Sequence, residues 1–90
     1  MHITGKTESG QNVVGGLFKF YDTYGLPLTV LFDQLQENNS VMDVIGFYND
    51  AKKAGWKDVK ILAQLSEHLA DSYGNQYRDV VISKLKEYIE

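Results

Sequence analysis

Four lysines surround the single tryptophan of the chain: Lys52, Lys53, Lys57 and Lys60 lie in a nine-residue window with Trp56. Asp58 is the only acidic residue in this window, so the window is locally basic. Clustered ammonium groups beside a flat ring are typical of phosphate-binding surfaces, because cations release counterions and the ring offers an apolar contact. The same residues are also typical of a solvated helix end, where lysines complement the helix dipole and a tryptophan packs back on the core. The sequence leaves both interpretations open.

Residues that could support catalysis or metal binding are sparse. The chain has no cysteine and two histidines, His2 and His68. His68 with Glu67 and Asp71 offers too few converging ligands for a metal site, which needs three or four. No serine, histidine and acid are arranged as a nucleophile with its base. We therefore expect no catalytic residue, no cofactor and no metal.

Length and composition favour a binding or structural module. The 90 residues are 43% hydrophobic and 23% charged, which fits one small domain. The net charge of −3 argues against nonspecific binding to polyanions by overall charge, so any contact with nucleic acid must be local. No apolar run is long enough to span a membrane, and Met1–Gly16 lacks the pattern of a secretion signal. We expect a cytoplasmic protein with no membrane contact.

The elements that must position the lysines are predicted from the spacing of apolar residues. Residues 1–16 are rich in glycine and short polar side chains, and we expect them to form a flexible N-terminal arm. A short β-like pairing around Ile3 and Val13–Val14 is the alternative, but isolated two-stranded pieces are marginal in water. From Leu17 onward apolar residues recur every three or four positions, which indicates helices. Gly25, Gly55 and Gly74 follow three of the periodic stretches and are predicted to end helices.

Start signals complete the predicted architecture. Pro27 is expected to open the second helix, Ser40 to cap the third and Asn75 to cap the fifth. The fourth helix, over 57–73, is predicted to bury a stripe of Val59, Leu62, Leu65, Leu69 and Tyr73. The sequence therefore predicts an all-α fold, a small bundle of four to five short helices that forms a single domain over 17–90.

One stretch resembles a known signature. Phe18–Pro27 reads FKFYDTYGLP, which is similar to the F-K-x-Y-D-T-Y-G-F-P motif of alanyl-tRNA synthetases. Ala54–Lys57 reads AGWK, where family members often carry a basic helix ending in Ala-Trp-Lys. Between them, a Val-Asp-x-x-Gly-Phe pattern is found with altered spacing as Val41, Asp43, Gly46 and Phe47. The resemblance covers about residues 17–57.

The resemblance implies a role in RNA recognition. In that family the stretch belongs to the helical region after the class II catalytic core, which holds the acceptor stem of alanine tRNA. The Asp22 carboxylate would accept from a guanine amino group in the minor groove, or it would be a helix-surface acid that bonds locally near the turn. Tyr21 and Tyr24 would stack on an unpaired base, although tyrosines at helical spacing also commonly belong to the core.

Two functions follow from these observations. The first is a non-catalytic helical module that contacts a tRNA acceptor stem or a synthetase, because neither the class II motifs nor the editing residues of the family are present. The second is a protein interaction module on the same helical fold that binds another protein or a second copy of itself. The acidic net charge and the apolar stripe from Val59 to Tyr73 favour the second.

Overall fold

The computed structural model describes all 90 residues, Met1–Glu90. It contains three strands and five helices. In chain order these are β1 (His2–Lys6), β2 (Asn12–Gly15), α1 (Leu17–Asp22), α2 (Leu28–Glu37), β3 (Ser40–Met42), α3 (Val44–Lys53), α4 (Asp58–Tyr73) and α5 (Asn75–Ile89).

The fold is mixed α/β, so the predicted all-α bundle with a flexible N-terminal arm is wrong. The three strands form one sheet in the order β1-β2-β3, with β1 antiparallel to β2 and β2 parallel to β3. Val13 lies opposite Val41, and Val14 lies opposite Met42. An isolated two-stranded hairpin is marginally stable in water, but β3 adds a third strand to the ribbon. Within residues 1–16, His2–Lys6 and Asn12–Gly15 are therefore strands of a sheet.

The β1–β2 turn is built from Thr7 to Gln11. The Thr7 amide donates to the Gln11 carbonyl at 2.8 Å, and the Gly10 amide donates to the Thr7 carbonyl at 3.0 Å. The Thr7 hydroxyl accepts from the Gln11 amide at 3.1 Å. Gly10 has a positive φ of 89°, which a residue with a Cβ rarely adopts. The glycine and short polar residues that suggested a mobile arm thus close a hairpin.

Helix α3 begins at Val44, and Ser40 does not cap it as the sequence predicted. Asn39 adopts a left-handed conformation, after which Ser40 enters β3 with its hydroxyl donating to the Asn38 carbonyl at 3.0 Å. The cap is Asp43, whose carboxylate accepts from the Gly46 amide at 3.0 Å. Pairing with β2 therefore delays the start of the helix.

The core joins the sheet to all five helices. It consists of Val14, Leu17, Phe18, Leu28, Leu31, Phe32, Leu35, Met42, Phe47, Tyr48, Ala51, Ile61, Leu65, Leu69 and Leu85. On α4 the fully buried positions are Ile61, Leu65 and Leu69, each four residues apart, whereas Val59 is 80% exposed. The predicted stripe thus runs through Ile61 in place of Val59. None of the helices combines the length and hydrophobicity needed to cross a lipid bilayer.

Candidate nucleic-acid interface

Trp56 is fixed by the way α3 ends. Its amide donates to the Ala51 carbonyl at 3.0 Å, and the Gly55 amide donates to the Lys52 carbonyl at 3.0 Å. This pair of bonds is a Schellman motif, which requires a left-handed residue after the helix. Gly55 supplies it with a φ of 91°. The backbone at Trp56 therefore has a defined position relative to the end of α3.

The indole ring of Trp56 is partly buried among three neighbouring side chains. Phe18 lies edge-to-face with it at 5.3 Å between ring centroids, and Tyr21 lies at 5.9 Å. The Lys60 ammonium sits 3.9 Å from the indole centroid, within cation–π range. Because these contacts come from α1 and α4, the partly buried ring organises the corner between α3 and α4.

Lys52 is neutralised within the protein. Its ammonium lies 3.0 Å from a carboxylate oxygen of Asp58, and that oxygen also accepts from the Tyr48 hydroxyl at 2.8 Å. The hydrogen bond from Tyr48, together with Lys52, lowers the pKa of Asp58. The same hydrogen bond is the main reason that the pKa of Tyr48 is raised. Of the four predicted lysines, Lys52 is thus the one with an internal counter-charge.

Lys53 and Lys57 are exposed and form no ion pair within the chain. Lys53 ends α3, and Lys57 precedes α4, whose N-terminal end has no side-chain cap. The partial positive charge of that helix end adds to the potential of the nearby lysines. With Lys60, they make three exposed ammonium groups around the α3–α4 turn. We call Lys53, Lys57 and Lys60 the lysine cluster.

Tyr21 is half-buried beside the tryptophan. Its hydroxyl donates to the Gln64 side-chain oxygen at 3.1 Å, and the same oxygen lies 3.3 Å from Nε2 of His68. Burial is the main cause that raises the pKa of Tyr21, and the charge of Asp22 adds to it. This placement gives the tyrosine a packing role between α1 and α4.

Asp22 and Tyr24 follow Tyr21 in the signature, and both are exposed. Asp22 is the last residue of α1 and makes no side-chain hydrogen bond or ion pair. Tyr24 contacts Phe20, with ring centroids 5.5 Å apart, and the Lys19 ammonium lies 5.9 Å from its ring. Because Tyr21 contacts the Trp56 ring, it links helix α1, which ends at Asp22, to the Trp56 corner.

Several contacts at the site were not expected from the sequence. Phe20 and Tyr24 are four residues apart, a spacing that could have indicated their contact. The bonds of Asp58 to Lys52 and Tyr48 cross the turn between two helices, so no periodic pattern within one helix reveals them. No three histidine, aspartate or glutamate side chains are grouped so that they could hold a metal ion.

A second surface feature is an apolar groove between the sheet and α5. Its volume is about 200 Å³. Eight hydrophobic residues line it, with Asp43 and Lys84 as the polar members, and its apolar walls are Val13, Val41, Met42, Val44, Ile45, Tyr77, Val81 and Leu85. The sequence does not indicate this groove, because one of its walls is strand β3.

Comparison with known proteins shows similarity across about half of the chain. The chain is 48% identical over 44 residues to the alanine-tRNA ligase of Granulibacter bethesdensis, and 46% identical over 48 residues to that of Leuconostoc citreum. These stretches cover 48% and 51% of this chain and 5% of each relative. No protein-family model and no solved structure matches the chain. The chain therefore contains a segment related to alanine-tRNA ligase.

Proposed function

We propose that this chain is a non-catalytic module that binds the acceptor stem of a tRNA through the lysine cluster. The observation that carries the proposal is the arrangement of three exposed ammonium groups around a rigid Trp56 corner, on a chain whose net charge is negative. The segment shared with two alanine-tRNA ligases supports RNA as the ligand, since those proteins act on a tRNA.

The rigidity of the corner matters for phosphate binding. Lysine side chains lose conformational entropy when they bind, and a fixed backbone limits that loss to the side chains themselves. The Schellman motif and the packed indole fix the turn from which Lys53 and Lys57 project. Three phosphate contacts predict weak binding that falls about 20- to 40-fold between 50 and 200 mM salt.

Asp22 is the proposed source of base recognition. An exposed carboxylate without an internal partner can accept from the amino group of guanine, which is the distinguishing donor of the minor groove. In A-form RNA that groove is wide and shallow, so a side chain at the end of α1 can reach it. Tyr21 is left out of the proposed interface because its hydroxyl and ring already have protein partners.

A titration with alanine tRNA at low salt, followed by amide chemical shifts, tests the proposal. We expect shifts at Lys53, Lys57 and Asp22, and weaker binding by a Lys53→Ala/Lys57→Ala variant. Lys84→Ala/Lys86→Ala is the matched control, because it removes the same charge from α5. Absence of shifts at the lysine cluster, or equal losses in both double variants, would refute it.

The groove beside α5 supports a second candidate, contact with another protein. Its exposed rim includes Ile45 and Tyr77, and apolar side chains at a groove edge are typical of protein interfaces. If this face binds a second copy of the chain, sedimentation will show concentration-dependent association that Ile45→Glu abolishes. A monomer at all concentrations would exclude self-association through the groove.

A further inference from the structure

The most exposed tyrosine of the chain lies at the end of α1. Tyr24 is 60% exposed, and its position is set by the backbone. Its amide donates to the Lys19 carbonyl at 3.4 Å, and the chain then turns through Gly25, which has a left-handed φ of 72°. The Leu26 amide returns to the Phe20 carbonyl at 3.1 Å. The ring is thus presented to solvent from a closed turn.

The other exposed tyrosines have roles within the fold. Tyr77 stacks on Tyr73 with ring centroids 4.5 Å apart. Tyr88 contacts the Tyr48 ring, and its hydroxyl exchanges hydrogen bonds with the Asn49 side chain. Tyr24 has no hydroxyl partner in the protein, and its one aromatic and one cation–π contact are with Phe20 and Lys19. Its exposed ring area is therefore not used to stabilise the fold.

We propose that Tyr24 stacks on an unpaired base of the bound RNA while Lys19 binds a phosphate next to that base. This inference rests on the proposed function and adds a single-stranded nucleotide to the ligand. Bases within a duplex present only their edges, so a free aromatic face selects a nucleotide outside the duplex. Trp56 is partly buried with Lys60 over its ring, whereas Tyr24 is 60% exposed and is the more accessible ring of this surface.

The charges around Tyr24 define the side that a strand can approach. Lys19 lies 5.9 Å from the ring centroid and is exposed, so its flexible side chain can reach a phosphate beside a stacked base. Asp22 is exposed on the same short segment and repels phosphate. The sugar-phosphate backbone is therefore expected to run on the Lys19 side.

Two RNA hairpins with the same duplex test the inference, one blunt and one with a short unpaired 3′ extension. We expect the wild-type chain to bind the extended hairpin about fivefold or more tightly than the blunt one, because base–aromatic stacking contributes that much. Tyr24→Ala should abolish this preference and leave the affinity for the blunt hairpin unchanged. Tyr24→Phe should keep the preference, since it retains the ring, and Tyr88→Ala should keep it as a control on a distant tyrosine.

The outcomes separate this inference from the proposed function. Equal binding of both hairpins by the wild-type chain, or a preference that survives Tyr24→Ala, overturns the stacking role and leaves the lysine cluster in place. Failure of both hairpins to bind at low salt overturns the proposed function together with the stacking role. Circular dichroism of Tyr24→Ala should match the wild-type spectrum, because the ring is exposed.

Discussion

Two corners of the molecule pair a lysine with an aromatic ring, and the surroundings of the rings differ. At Trp56 the ammonium of Lys60 lies 3.9 Å from the ring centroid, and Phe18 and Tyr21 pack edge-to-face against the partly buried indole. At Tyr24 the ammonium of Lys19 lies 5.9 Å away, and the ring is mostly exposed. The comparison teaches that the residue pair alone does not define a role. Packing gives the Trp56 ring a structural role beside the lysine cluster, whereas most of the Tyr24 ring faces solvent.

The two aromatic rings are expected to differ most in how much each contributes to the stability of the fold. Trp56→Ala should lower the free energy of unfolding by about 2–4 kcal/mol, because it removes a large partly buried ring and leaves a cavity. Tyr24→Ala should change it by no more than about 0.5 kcal/mol, as is usual for an exposed side chain. Urea unfolding followed by circular dichroism measures both. Similar losses in the two variants would show that the corners do not differ in this way.

Removing a tyrosine hydroxyl group is expected to change the free energy of unfolding by a smaller amount. Tyr21→Phe should cost about 1 kcal/mol, since it removes the hydrogen bond to Gln64 in a partly buried place. Tyr24→Phe should leave the unfolding free energy unchanged, because its hydroxyl has no protein partner. The same urea experiment applies. If Tyr21→Phe is as stable as the wild type, the bond between α1 and α4 does not contribute to stability.

The smallest effect concerns the pH dependence of the Trp56 corner. Folding lowers the pKa of Asp58 below its ordinary value of 3.8, chiefly through the Tyr48 hydrogen bond. Asp58 therefore stabilises the fold above that value and loses its contribution as the pH falls through the lower, folded-state pKa. The melting temperature of Asp58→Asn should lie below that of the wild type at neutral pH, with the difference shrinking below about pH 4.

Asp22→Asn serves as the control for that measurement, because Asp22 has no side-chain hydrogen bond or ion pair. Its melting curve should follow the wild type across the same pH range. A constant gap between the wild type and Asp58→Asn from neutral to acidic pH would contradict the proposed contribution of the Asp58 carboxylate.

The helices were predictable from the sequence because their signals are local. Gly25, Gly55 and Gly74 all adopt positive φ beyond helix ends, and α4 and α5 begin within a residue of the predicted starts. Asn75 does not cap α5 as predicted, because it is the first residue of that helix and Gly74 takes the cap position. The sheet was not predictable in this way. Strand β3 is three residues long, too short for an alternating pattern, and it forms because Val41 pairs with Val13 from a distant part of the chain.

The candidate site was predictable in residue type and only partly in arrangement. The spacing brought the lysines and Trp56 into one window, and the structure keeps them at one turn. The spacing of these residues could not show that Lys52 pairs with Asp58 or that Lys60 lies over the indole, because both contacts depend on the angle between α3 and α4. The exposure of Tyr24 likewise depends on where the chain turns after α1.

The salt dependence of binding to alanine tRNA tests the central claim most directly. With three phosphate contacts, the logarithm of the binding constant should fall against the logarithm of salt concentration with a slope of about −2 to −3. Lys53→Ala/Lys57→Ala should reduce the magnitude of that slope by about 2, and Lys84→Ala/Lys86→Ala should leave it unchanged. A slope near zero, or the same slope in all three proteins, would contradict RNA binding through the lysine cluster.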